Sequence, residues 1–173
     1  MRASSLTSLI LLTALSLSTG CDNQPPRSGE LVEREGEPAI TYVKSDDPKM
    51  VAAIDKARGS FNQFQTAFEK QQPGQDFFSV KLLVEDGEHQ EHVWTTPVRI
   101  EAGKYYGTLD NEPYQIKKYV VGDEINIPVD QISDWMYVDD GKLVGGYTLR
   151  VVRDSLTEEQ RKEFDTTIPF KIE

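Results

Sequence analysis

Residues 47–87 read DPKMVAAIDKARGSFNQFQTAFEKQQPGQDFFSVKLLVEDG, and a change of pattern inside them decides the fold class. Asp47-Pro48 is a helix start, with Asp at the N-cap and Pro at the first helical position. Met50, Ile54, Ala57, Phe61, Phe64 and Phe68 follow at spacings of four, three, four, three and four. That spacing lines one face of a helix. Gly59 weakens the helix locally, and Pro73-Gly74 ends it. Beyond Gly74 the period changes. Phe77 to Val84 is rich in apolar and β-favouring residues, Asp86-Gly87 is a hairpin signal, and His92 to Ile100 forms the return strand. The stretch predicts one long N-terminal helix whose aromatic face packs on a sheet.

Working outward, the C-terminal half continues as hairpins. Glu101 to Lys104 turns the chain into Tyr105 to Leu109. Asp110-Asn111-Glu112-Pro113 is another turn. Ile125 to Val129 is a short strand that Pro128 confines to an edge or a strand end. Trp135 to Val138 and Leu143 to Val152 flank the turn Asp139-Asp140-Gly141-Lys142. Thr157-Glu158-Glu159-Gln160 opens a short polar helix ending near Phe164. The expected class is therefore α+β, a mainly antiparallel, hairpin-built sheet covered by one long helix, with a short C-terminal helix.

The N-terminus has a different logic. Arg2 supplies a positive start, Leu6 to Leu17 is apolar, and Ser18-Thr19-Gly20 is small and ends at Cys21. This is a secretory signal, and its apolar run falls well short of the roughly 20 residues of a spanning helix. Leu17-Ser18-Thr19-Gly20-Cys21 resembles the lipobox of bacterial lipoprotein precursors. That resemblance implies a diacylglyceryl thioether on Cys21 and cleavage after Gly20. One acyl chain anchors marginally and two or more anchor stably. Cys21 is the only cysteine, so it forms no internal disulfide, and lipidation accounts for it. Asp22 after Cys21 resembles the signal that retains enterobacterial-type lipoproteins at the inner membrane. Residues 1–20 are thus the signal peptide. Residues 21–38 are the lipidated cysteine and a flexible tether, rich in Pro, Gly and charge, that spans on the order of 20–25 Å. Residues 39–173 are expected to form a single domain.

Removing residues 1–20 takes Arg2 and leaves 18 basic against 29 acidic residues, a net charge of −11. Such a surface repels nucleic acid and anionic headgroups, so no nucleic-acid partner is expected.

Four pieces of the sheet region occur in a familiar order. They are Glu91-His92-Val93-Trp94, Gly107 to Pro113, Gly122-Asp123 leading to Ile132-Ser133-Asp134-Trp135-Met136, and Gly145-Gly146-Tyr147-Thr148-Leu149-Arg150. Together they resemble the YegJ-like family, domain of unknown function 2314, over residues 46 to 155. The resemblance implies a small bacterial α+β domain, often exported. It brings no established activity, catalytic residue or cofactor.

The residues with chemical potential are few. His89 and His92 are the only histidines. A zinc site needs three or four ligands, and on a strand these two point to opposite faces, so no metal is expected. His92 beside Trp94 is a hydrogen-bonding or pH-responsive candidate. Asp134 caps a turn or joins a carboxylate pair. Trp135 fills the core, or joins Trp94 and Tyr147 in a recognition surface. Gly145 and Gly146 mark a conformational turn before a strand in which Tyr147, Leu149 and Val151 share one face. No nucleophile elbow or phosphate loop is present. The leading expectation is a membrane-tethered cell-envelope lipoprotein with a non-enzymatic binding domain for a protein or peptide-like ligand. The alternatives are an envelope hydrolase using His92 with a carboxylate, and an immunity or inhibitor protein.

Cys21→Ser is expected to abolish incorporation of labelled palmitate and to leave the chain uncleaved or aberrantly processed. Labelled Cys21→Ser protein on a gel would refute the lipobox reading.

Overall fold

The computed structural model describes residues 30–34, 37–42, 46–110, 113–114 and 116–173. The signal segment, Cys21 and most of the expected tether lie outside the described residues. Strands β1 (Glu30–Arg34) and β2 (Glu37–Tyr42) pair antiparallel as a two-stranded ribbon, so backbone pairing begins inside the stretch read as tether.

Two helices follow. Helix α1 runs Pro48–Gly59 and α2 runs Phe61–Glu69. Asp47 starts α1 as expected, its side chain accepting from Lys49 N at 2.9 Å, and Lys56 and Arg58 sit in the last turn, where the helix dipole favours cations. The expected single long helix is broken at Ser60, where φ is −111° and ψ is 8°. Gly59 offers no side chain to support the helix, and the Ser60 hydroxyl donates to Lys56 O at 2.7 Å, competing for backbone acceptors. The apolar stripe survives the break. Met50, Ala53, Ala57, Phe61 and Phe64 are buried, and Phe68 packs half-buried beside them.

The main sheet contains β3 (Gln75–Asp86), β4 (His89–Glu101), β5 (Lys104–Leu109), β6 (Glu124–Ile127), β7 (Ile132–Asp139) and β8 (Lys142–Gly145). Their order is β6-β5-β4-β3-β7-β8, and every neighbouring pair is antiparallel. Both expected hairpins form, β3–β4 around Gly87-Glu88 and β7–β8 around Asp140-Gly141. Val80, Leu82, Val84, Val93, Leu109 and Trp135 meet Phe61 and Phe64 in one core. The aromatic rings interlock. Phe64 stacks on Phe68 at 5.7 Å and meets Phe78 edge-on at 5.8 Å.

The largest departure from expectation follows Gly145. The predicted strand through Val152 is a helix instead, α3 (Tyr147–Ser155), followed by α4 (Glu158–Thr167). Gly145 and Gly146 take φ of +74° and +62°, which turns the chain out of β8. A Cβ on Gly145 would lie 2.3 Å from Trp135 O, so the glycine is required by close approach as well as by conformation. Tyr147, Leu149 and Val151 therefore do not share a strand face. Helix α4 begins with a capping box between Thr157 and Gln160, the start read from the sequence.

Phe64→Ala is expected to destabilise the protein by about 3–5 kcal/mol in urea unfolding, because its ring is fully buried. A loss under about 1 kcal/mol would place the stripe outside the core.

Candidate functional site

Strand alternation sorts the candidate residues between two faces. Val80, Leu82, Val93 and Trp135 face the helices α1 and α2. Lys81, Leu83, His92, Trp94 and Asp134 occupy the opposite face. In register, Lys81 lies between Trp94 on β4 and Asp134 on β7, and Leu83 lies opposite His92. Three of the five candidates thus come together, around a lysine that the sequence reading passed over. Its signal was visible: a single charge inside the apolar run Val80-Lys81-Leu82-Leu83-Val84.

Trp135 and Tyr147 belong to the other side. Trp135 is fully buried, and its Nε1 donates to Ala57 O at 2.8 Å. Tyr147 meets it edge-on at 5.7 Å, its hydroxyl lies within hydrogen-bond distance of Ser60 Oγ at 3.2 Å, and its ring lies under Lys56 Nζ at 4.9 Å. Both tie α1, β7 and α3 together.

Asp134 is buried and fully engaged. Its Oδ1 accepts from Trp135 N at 2.8 Å and Tyr147 N at 3.0 Å. Its Oδ2 accepts from Thr148 N and Thr148 Oγ1, both at 2.7 Å. Gly146, at the N-cap of α3, has no side chain to offer, so a strand residue supplies the cap. Negative charge there also complements the helix dipole. Burial pushes the Asp134 carboxyl up, while hydrogen bonds from Thr148 and the charge of Lys81 pull it back. With four donors on two oxygens, this carboxylate is a structural acceptor with little capacity left for proton transfer.

Lys81 Nζ donates to Thr148 Oγ1 at 3.5 Å and lies 5.5 Å over the Trp94 ring. Burial lowers the Lys81 pKa, and the Asp134 charge opposes that shift. His92 is half-buried, and among the described residues its Nδ1 is buried without a hydrogen-bond partner. Burial first, then the charges of Lys81 and Arg58, push its imidazole down to about 4. His92 is therefore neutral at pH 7. His89 is exposed at the end of the hairpin. Glu91 turns elsewhere, accepting from Tyr114 N at 2.8 Å. Among the described residues no three His, Cys, Asp or Glu side chains cluster as metal ligands.

His92, Trp94 and Asp134 all lie within a stretch that matches a known family. The profile of a family described as an uncharacterized protein conserved in bacteria, DUF2314, matches residues 47–171. The chain belongs to this family. The matched stretch takes in both C-terminal helices, beyond the end expected near residue 155. A protein of Neisseria meningitidis serogroup B that carries an ankyrin-repeat name is 36% identical over 138 residues, covering 75% of this chain. This chain spans about half of that protein's length, 54%. The uncharacterized protein YegJ of Escherichia coli strain K12 is 32% identical over 118 residues, 68% of this chain and 76% of that one. No solved structure matches the chain.

The buried imidazole makes a pH prediction. Above pH about 6.5 neither folded nor unfolded chain protonates His92; between about 6.5 and about 4 only the unfolded chain does. The His92 contribution to stability is thus full above that window and falls as pH drops through it, by about 3 kcal/mol in all. Urea unfolding at pH 7 and pH 4.5 is expected to show wild type losing about 2–3 kcal/mol more than His92→Gln. Equal losses in the two proteins would mean the imidazole titrates normally.

Proposed function

We propose that this protein is a membrane-tethered lipoprotein of the cell envelope, whose α+β domain binds a protein or peptide-like ligand and performs no covalent chemistry. The lipobox ending at Cys21 supports the anchor, and the family's bacterial distribution is consistent with it. In a host with two membranes, Asp22 favours the periplasmic face of the inner membrane. The observation that carries the binding reading is the half-buried patch of Lys81, His92 and Trp94 on the sheet face opposite α1 and α2. An aromatic beside polar groups with spare hydrogen-bonding capacity is the make-up of a recognition site.

The hydrolase alternative asks His92 to act as a base oriented by a carboxylate. An imidazole held near 4 is a weak base at neutral pH, and its buried Nδ1 meets no carboxylate among the described residues. Asp134, the register partner of Lys81 on β7, is spent on the α3 cap, and Glu85, on the same face of β3 as Leu83, accepts from Gln90 Nε2 at 2.7 Å. An immunity or inhibitor protein would be a special case of binding.

Affinity capture of the full chain from envelope membranes, after cross-linking, tests the reading. Wild type is expected to enrich a specific partner, and Trp94→Ala to lose it while remaining folded. A His92-dependent hydrolase activity on envelope substrates, with nothing specifically captured, would overturn it.

A further inference from the structure

Lys81 sits in an apolar strand, where an ammonium is unfavourable unless its donors find acceptors. It has three N–H groups. One reaches Thr148 Oγ1 at the long distance of 3.5 Å, and the other close neighbour is the face of the Trp94 ring. His92 stands one diagonal step away across the β3–β4 ladder, within reach of a shared ligand. Its buried Nδ1 has no partner among the described residues. Buried polar groups are nearly always paired. Here two of them, adjacent on one patch, keep unspent capacity, and a single outside acceptor group would satisfy both.

We propose that Lys81 and His92, with Trp94 beside them, form a subsite for a carboxylate group, the acidic end or acidic side chain of a peptide-like ligand. The subsite deepens the binding reading above and rests on it. Lys81 contributes a charge-assisted hydrogen bond, and the neutral His92 ring contributes its one N–H. The charge balance selects a monoanion. Lys81 and Arg58 both act on His92 as positive charges, and the Asp134 carboxylate offsets one of them. These three groups sum to one positive charge, which one added negative charge balances. A doubly charged phosphate would leave an excess beside Asp134 in a chain whose net charge is already −10.

The test uses the full chain, isotope-labelled and solubilised in mild detergent, titrated at pH 7 with sodium acetate at constant ionic strength. The readouts are the His92 ring nitrogens and the Lys81 Cε resonance, with His89→Gln assigning the two histidine rings. Acetate is expected to shift both groups along one saturating curve in the millimolar range, as suits so small a ligand. Acetamide is expected to shift neither, and inorganic phosphate to bind more weakly than acetate. Lys81→Met keeps the apolar stem and is expected to weaken the acetate response at least tenfold. No saturable acetate shift in wild type, an unchanged response in Lys81→Met, or a preference for phosphate overturns the proposal. If Lys81→Met does not fold, the comparison of acetate with acetamide on wild type decides alone. The two readings fail separately. Capture of a partner that depends on Trp94, without an acetate response, removes the carboxylate subsite and keeps the binding domain. An acetate response without any captured partner does the reverse.

Discussion

A buried carboxylate must find its hydrogen bonds inside the protein, and Asp134 finds four where β7 passes the end of β8 and the start of α3. Strand β8 pairs with Met136 to Asp139, so among the described residues the first half of β7 has no partner strand on that side. Unpaired edge groups are a liability unless something else satisfies them. Arg58 Nε donates to Ile132 O at 2.7 Å, Gly146 N donates to Trp135 O at 2.8 Å, and Asp134 bonds the Trp135 amide itself. The same carboxylate caps α3. One side chain therefore closes a sheet edge and starts a helix.

That arrangement shapes both faces of the sheet. Toward the helices, α3 delivers Tyr147 against Trp135 and Ser60, which locks α1 to the sheet at the point where the helix breaks. On the far face, Thr148 stands between Asp134 and Lys81, donating to one and accepting from the other. Thr148 is the link through which a structural cap meets the polar patch. With Asp134 committed to the fold, Lys81 and His92 are the described residues of this patch with hydrogen bonds still to make. Burial first, then the charges of Lys81 and Arg58, keep the His92 proton off, which leaves the ring as a neutral donor or acceptor at physiological pH.

Much of this was legible in the sequence because its causes are local. The Phe61–Phe64–Phe68 spacing, the Asp47-Pro48 start, the Gly87 and Gly141 hairpins and the Thr157 capping box depend on neighbours within a few positions. The helix break at Ser60 was half legible. Gly59 was the sign, but the periodic stripe continues across the break and masks it. Helix α3 was misread for a physical reason. Tyr147-Thr148-Leu149-Arg150-Val151-Val152 alternates like a strand, and its helix cap comes from Asp134, more than ten positions away. Among the site residues, His92, Trp94 and Asp134 were found by type, while Lys81 was missed because a lone charge in a strand has meaning only once the faces are assigned.

By itself, the sequence determined the class of the fold, the hairpin turns, the family, and the resemblance of Cys21 and its flank to a lipidation signal. Each of these rests on periodicity, turn chemistry or a contiguous motif. The tertiary structure alone decided which candidates share a face. Trp135 and Tyr147 went to the core, and His92, Trp94 and Asp134 gathered around Lys81. That sorting depends on strand register and on a β-bulge between Lys81 and Leu82 opposite β7, where shifting one residue exchanges the two faces. The β3–β7 register is set by contacts between strands far apart in the chain, so no local pattern could have revealed that Asp134 meets Lys81.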